Sequence, residues 1–524
     1  MMRVLLFAIV LSLGTFAGAP QVAHALSADD ARWAREAFTA AELKRWQKVE
    51  RARDAIQDPL LRRLFDWMLL SRPDTEANFQ AIQTFTQAHP NWPRQSWLTR
   101  RAEEKLAENR HPAETVLAFF GASEPISAPG MGILGEALLS TGQVERGGAL
   151  IRQGWIEGNF TRDDAKAYLA RYRTHLDKES HWQRLDRLVW DGRSGPARQM
   201  MGLVDSGHRY LAEARILLRQ RHGNVDAAIA RIPPALQNDP GLVYERVRWR
   251  RIKGRDEDAR NLIKTPDAAQ PSAAQPSAVQ PNVPALREDD LELWWAERHI
   301  LARRALQAGH ITAAYRLASG HGLKSGAAFA QGEWLAGWLA LRYLDEPATA
   351  FLHFKTLFDG VSYPISLSRA AYWAGRAAEA GGKADIAQEW FKRAASWPTT
   401  YYGQLAHAIV HPGRGLALPA EPETAAEDRK RFEAHELTRL LRLLAKLDQD
   451  VWLRAFLEAL AGVEDSPAWA ALTAGLAKDL DRPDLAVRLD HPAGLLRALS
   501  GRGHGGDLPV VDDHVALKGG RPRT

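Results

Sequence analysis

Apolar side chains recur at the period of an α-helix along most of this chain, and that pattern limits the fold more than any motif does. Leu437, Leu440, Leu441, Leu444 and Leu447 sit three or four residues apart, with Arg439, Arg442 and Lys446 on the other face. Runs of alternating β-branched residues are nearly absent. Short turns with glycine punctuate the helices, as at Ser140-Thr141-Gly142, Asp205-Ser206-Gly207 and Lys253-Gly254-Arg255. Short connections set neighbouring amphipathic helices antiparallel, so the expected fold is all-α and built from hairpins.

At 524 residues the chain is well past the length at which a single core stops growing. Hairpins that cannot cover their own apolar faces must then stack into a solenoid. A repeat is visible in the second half. Trp338-Leu339-Ala340 and Trp373-Ala374-Gly375 are expected to begin helices 35 residues apart. Small-x-x-x-large pairs follow at Ala350/Phe354 and Ala387/Phe391, and Ala314/Ala318 lies 36 residues before the first of them. This spacing is that of tetratricopeptide-like hairpins, and the first half shows it only faintly. The segment from Lys264 to Pro284 repeats Ala-Gln-Pro-Ser-Ala at 269–273 and 274–278, a composition that buries little and reads as an inserted loop.

Arg3 precedes the apolar run Val4 to Leu11, and Ala23-His24-Ala25 offers small residues where a signal peptidase cuts. The run is too short to span ~30 Å of hydrocarbon, so a cleaved signal peptide and export are expected, with no transmembrane segment in the mature chain. Export removes nucleic acid as a partner, although Lys and Arg outnumber Asp and Glu by 69 to 63. There are no cysteines, which excludes thiol nucleophiles and thiolate metal sites.

Motifs for chemistry fail in turn. Gly320-His321-Gly322-Leu323-Lys324-Ser325 lacks the order of a phosphate-binding loop. His407 and His411 share one helical face, but no Glu follows His407 and Pro412 ends the helix, so no metal is expected there. Trp295, Trp334, Trp338, Trp373 and Trp390 are expected to wedge helix pairs. Arg246, Arg248, Arg250, Arg251, Lys253 and Arg255 are expected to form a solvated surface that pairs with Glu245 and Asp256.

Four segments resemble the soluble lytic murein transglycosylases. They are Ala88-His89-Pro90-Asn91-Trp92-Pro93 with Leu98 and Arg101-Ala102, and Asp239 to Arg246 with Trp249-Arg250-Arg251. The other two, more specific, are Ala371-Tyr372-Trp373-Ala374-Gly375-Arg376 and Thr399-Thr400-Tyr401-Tyr402-Gly403-Gln404-Leu405-Ala406. The resemblance spans about residues 27 to 490 and implies a ring-shaped α-superhelix followed by a small helical linker domain. It also implies a periplasmic location and peptidoglycan glycan strands as partner, with periplasmic proteins as further partners and no cofactor. Tyr401, Tyr402 and Gln404 become candidates for substrate binding, with helix packing at the domain junction as the alternative. A non-catalytic scaffold that binds proteins or peptidoglycan is the alternative function.

In that family a lysozyme-like domain follows the linker and supplies a catalytic Glu from a Glu-Ser motif, upstream of Gly-Leu-Met-Gln. That Glu acts as acid and then as base while a 1,6-anhydromuramyl product forms, which requires a carboxyl held neutral by its pocket. Here the last glutamate is Glu464 and all six methionines lie at or before Met201, so no catalytic residue is assigned. The chain divides into a signal peptide at 1–25 and a superhelical domain at 26–263 and 287–420, around an inserted loop at 264–286. A linker domain at 421–490 and a disordered tail at 491–524 follow, the tail read as out-of-frame sequence. A frameshift or split gene predicts that the DNA beyond the stop codon encodes Glu-Ser and Gly-Leu-Met-Gln in some frame. Sequencing that region tests it, and finding neither motif in any frame sinks the idea.

Overall fold

The computed structural model describes residues 26–223, 225–263, 288–416 and 422–489. The expected signal peptide at 1–25, the loop at 264–286 and the tail at 491–524 lie outside the described residues. Among the described residues the regular elements are helices, with no strand. The chain opens with α1 (Ala28–Glu42), α2 (Trp46–Ala55), α3 (Pro59–Leu70), α4 (Phe79–Ala88), α5 (Gln95–Ala107) and α6 (Ala113–Phe120). The middle holds α7 (Ala128–Ser140), α8 (Val144–Glu157), α9 (Arg162–Tyr172), α10 (Lys178–Trp190) and α11 (Ser194–Met200). It continues through α12 (Ser206–Arg219), α13 (Val225–Ala230), α14 (Pro240–Ile252) and α15 (Asp256–Leu262). Next come α16 (Glu288–Gln307), α17 (Ile311–Ser319), α18 (Gly326–Tyr343) and α19 (Pro347–Asp359). Then follow α20 (Pro364–Ala380), α21 (Ala384–Ala395) and α22 (Tyr401–Val410). The last group is α23 (Ala426–Ala434), α24 (Glu436–Lys446), α25 (Asp450–Ala461), α26 (Pro467–Asp479) and α27 (Pro483–Leu489).

One turn recurs through the solenoid. Gly142, Gly192, Gly254, Gly309 and Gly382 take φ between +70 and +87 after α7, α10, α14, α16 and α20. The next residue donates its N–H to the carbonyl five positions back, as Gln143 does to Leu138 and Lys383 to Ala378, both at 2.9 Å. This closes the open carbonyl end of the first helix and sends the chain straight into the second. Lys44, Asp448 and Asp481 fill the same place without glycine, at φ +55 to +57. Asp205-Ser206-Gly207 is a different device, because Asp205 caps α12 and accepts from the His208 N–H at 3.0 Å.

Arginines tie several hairpins to the one before. The carbonyl end of α8 is covered by α10, where Arg184 Nη1 donates to Gly158 at 2.8 Å and Arg187 Nε donates to Ile156 at 2.6 Å. The end of α10 is covered in the same way by Arg219 of α12, which donates to Val189 and Trp190 at 2.8 Å. Arg304 of α16 donates to the Arg251 carbonyl at the end of α14 at 3.3 Å. A cation at a helix C-terminus satisfies orphan carbonyls and opposes the helix dipole. The expected solvated arginine surface on α14 is therefore corrected. Glu245 is buried between Arg219 and Arg248, Arg251 Nη2 pairs with the buried Glu297 at 2.8 Å, and Asp256 takes Arg304.

The repeat legible in the second half is a helix-crossing device. A Cβ at Gly337 would meet Phe354 at 2.8 Å, and one at Gly375 would meet Phe391 at 2.7 Å, so each glycine lets α18 onto α19 and α20 onto α21. Trp338 and Trp373 do not begin helices but lie inside α18 and α20, one residue after Gly337 and two before Gly375. Beneath α18 a buried polar chain joins two successive hairpins, α16/α17 and α18/α19. Glu333 takes His353 Nδ1 at 2.6 Å and His321 Nε2 at 3.1 Å, and the Tyr315 hydroxyl meets His353 Nε2 at 3.0 Å. The Leu323 N–H donates to His321 Nδ1 at 3.0 Å, so Nε2 carries the proton toward Glu333. Burial works against the charged carboxylate, but hydrogen bonds and charge from the two histidines outweigh it and hold Glu333 down at about 2.

The two ends of the superhelix share one core. Phe432, Leu437, Leu440, Leu444, Leu453 and Phe456 belong to the same buried cluster as Leu61, Leu64, Trp67 and Trp92. Trp67 meets the edge of Trp452 at 5.7 Å and Phe456 at 5.1 Å, and Trp92 meets Phe456 at 5.5 Å. At the seam, Glu436 accepts from Arg63 Nη1 at 2.6 Å and from Trp92 Nε1 at 2.8 Å, with His89 Nδ1 at 3.6 Å. The last helices therefore close the superhelix into a ring. Glu436→Ala leaves the indole N–H of Trp92 without its partner, at a cost of about 1–3 kcal/mol. Small-angle scattering should then show a wider, partly opened particle; an unchanged scattering curve and melting curve would mean the apolar seam closes the ring unaided.

Folding lowers the Glu333 pKa, so its contribution is complete above the ordinary value of 4.5 and is lost as pH falls toward about 2. In denaturant titrations Glu333→Gln should be the less stable protein at neutral pH, and its deficit should narrow through that acid window. A deficit of constant size across the window would show that the carboxylate is not the source.

Candidate functional site

A cavity of about 1030 Å³ opens among α5, α7, α9, α10 and the start of α16. Phe160, Tyr172 and Trp190 give it apolar surface, while Arg100, Lys105, Glu157 and Asp191 bring charges of both signs. Many of the charges lining it are already paired: Lys105 with Glu108 at 3.0 Å, Arg187 with Asp191 at 2.7 Å, and Arg101 with Glu104. The loop after α8 is held rigid from below by Arg184, whose pKa burial pushes down to about 9. The cavity therefore presents a preformed surface with little net field.

General acid catalysis of glycosidic cleavage needs a carboxyl kept neutral near the bond to be broken. Among the described residues, burial raises Glu103, Asp239 and Glu245. Each has framework partners. Glu103 accepts from the Ser127 N–H at 2.7 Å and the Ile126 N–H at 2.9 Å and so caps α7. Asp239 caps α14 through the Leu242 N–H at 2.9 Å, and Glu245 pairs with Arg219 at 2.8 Å. None of the three lines the cavity.

The structure places the sequence candidates elsewhere. Tyr401, Tyr402 and Gln404 begin α22, where Thr400 caps the helix by accepting from the Gly403 N–H at 3.0 Å. Gly403 cannot change, because a Cβ there would fall on the Trp397 carbonyl. Tyr401 is 68% exposed and Gln404 is exposed, while the half-buried Tyr402 ring lies 5.4 Å from Tyr372 of α20. All three are outside the α5–α16 cavity. His407 and His411 close α22 with their rings 5.0 Å apart. In the Gly320–Ser325 stretch His321 turns inward to Glu333. Trp295 and Trp390 are buried as expected, but Trp334, Trp338 and Trp373 are only half-buried. Sequence reasoning passed over Glu333, although a glutamate flanked by Gly332, Trp334 and Leu335 on an apolar helix was the available signal.

No protein-family model matches the chain, and no curated protein matches it. Solved structures do. The 70 kDa soluble lytic transglycosylase of Escherichia coli aligns at TM-score 0.52 and 18% identity, over 89% of this chain and 70% of that one. A lytic transglycosylase Slt of Pseudomonas aeruginosa, in an inactive mutant form, aligns at TM-score 0.54 and 15% identity, over 84% of this chain and 67% of that one. The 70 kDa enzyme in complex with bulgecin A gives TM-score 0.51 and 18% identity, over 88% and 70%. The chain thus has the superhelical fold of these lytic transglycosylases, as its sequence resemblance implied.

Proposed function

We propose that this chain is a periplasmic, peptidoglycan-associated protein that binds glycan strands and does not cleave them by itself. The carrying observation is the superhelical fold shared with lytic transglycosylases over more than four-fifths of the chain, at 89% and 84% coverage. Binding without cleavage is supported by the placement of the raised carboxyls. The raised carboxyls among the described residues are caps and ion-pair partners away from the cavity. The many paired charges of the cavity suit a polymer with a largely neutral sugar backbone better than a strongly anionic one.

The test uses residues 26–524 with purified murein sacculi. The protein should co-sediment with sacculi, and mass spectrometry of the supernatant should show no 1,6-anhydromuropeptides above the buffer control. Release of anhydro products would overturn the non-catalytic half of the proposal, and failure to sediment would overturn the binding half.

A further inference from the structure

Three successive first helices of the solenoid carry a line of aromatic rings on one face. On α18, Tyr343 meets Trp338 at 5.2 Å and Trp338 stacks on Trp334 at 5.9 Å, 15° from parallel. Trp334 meets Trp373 of α20 at 6.2 Å, and Trp373 meets its neighbour Tyr372 at 5.9 Å. Tyr372 meets Tyr402 of α22 at 5.4 Å, and Tyr402 meets Tyr401 at 5.1 Å. The rings touch without a break, and the line crosses the helices and so follows the course of the superhelix.

Burial is graded along it. The two ends, Tyr343 and Tyr401, are 48% and 68% exposed, and the rings between them are half-buried. The indole N–H groups of Trp334 and Trp373 are buried and unpartnered, so these two rings offer the line ring surface rather than donors. The free polar handles are the phenol of Tyr401 and the exposed amide of Gln404. Beside the line Arg376, one turn from Tyr372, pairs with Glu379 at 3.2 Å. The Arg369 guanidinium lies over Trp334 at 3.9 Å and fixes that ring from the side. Glu333, next to Trp334, is locked beneath by His321 and His353, so the strip is held before any ligand arrives.

Exposed aromatic surface on a soluble fold marks a binding face. A continuous row of rings, set mostly edge to face, with phenol hydroxyls along it suits a linear neutral polysaccharide, whose pyranose C–H groups contact the rings while its hydroxyls reach the phenols. We propose that the Tyr343-to-Tyr401 strip is the surface on which an N-acetylhexosamine polymer lies. This rests on the glycan-binding reading above and names the site for it.

The test is titration of residues 26–524 with chitohexaose, the N-acetylglucosamine hexamer, followed by tryptophan fluorescence, alongside sacculus sedimentation. The wild type should bind both and shift its tryptophan emission. The double variant Tyr343→Ala/Tyr401→Ala, at two exposed positions, should melt like the wild type but bind both roughly tenfold more weakly. Tyr401→Trp should retain binding, and Val144→Ala, at an exposed position on α8, should change nothing. A double variant that binds unchanged overturns the strip and leaves the glycan-binding reading standing. Binding of sacculi but not of chitohexaose overturns the strip in favour of peptide-stem recognition. A wild type that binds neither overturns both readings.

Discussion

Glu436 holds a position on which the shape of the whole molecule depends. An open solenoid is a one-dimensional stack whose ends fray independently, because each hairpin touches only its neighbours. Here the carboxylate of Glu436 takes a donor from Arg63 and another from Trp92, residues more than 340 positions away. Around it Trp67 meets Trp452 and Phe456 edge to face, and Trp92 meets Phe456 in the same way, so the seam is both apolar and directional. The first and last helices thereby lose their free ends together. The linker segment expected as a separate domain is, in packing terms, part of the same core as α1 to α7. A contact of such long sequence separation forms late and at an entropic cost, which makes the seam the natural place for the ring to loosen.

Helix content, hairpin topology and the second-half repeat were legible because they rest on local signals. Leucine periodicity gave α24, and the Ala350/Phe354 and Ala387/Phe391 pairs sit at real helix crossings. The first half looked irregular partly because some of its hairpins use other chemistry for the same geometry. Lys44 adopts the left-handed turn that Gly142 or Gly382 adopts elsewhere, and Asp448 does so among the last helices, so a search for glycine finds only part of the set. Spacing was hidden too. Arg219 reaches back 29 and 30 residues to cap α10, whereas Arg304 reaches back 53 to cap α14, because the 264–287 segment intervenes between them. The α14 arginines were misread for a related reason: Arg251 pairs with Glu297 of α16, and Glu245 of α14 also takes Arg219 of α12, contacts that a single helix does not reveal.

The site was less legible than the fold. Tyr401, Tyr402 and Gln404 drew attention through family resemblance, and their neighbours Tyr372 and Trp373 were quoted for the same reason. What joins them to Trp334 and Trp338 is stacking of one hairpin on the next, and no spacing within the sequence states which faces of α18, α20 and α22 coincide. The cavity among α5, α9, α10 and α16 was invisible for the same reason, since its walls come from residues almost two hundred positions apart. Solenoids put local information into their helices and non-local information into their surfaces.

The pairing of charges throughout the described superhelix bears on what it can hold. Arg187 with Asp191, Arg251 with Glu297 and Arg376 with Glu379 all neutralise one another across or along helices. The modest excess of cations in the composition therefore does not gather into a basic groove, and the inner framework uses its arginines to cover helix ends rather than to attract anions. A surface of that kind gains little from long-range steering and must recognise its ligand at contact. Rings fixed from behind by a buried His-Glu-His network and from the side by Arg369 supply such contact without ordering cost at the moment of binding. The same buried network that stabilises α18 thus also sets the geometry of its outer face. A substitution at Glu333 would disturb the aromatic strip through packing even though Glu333 never meets solvent.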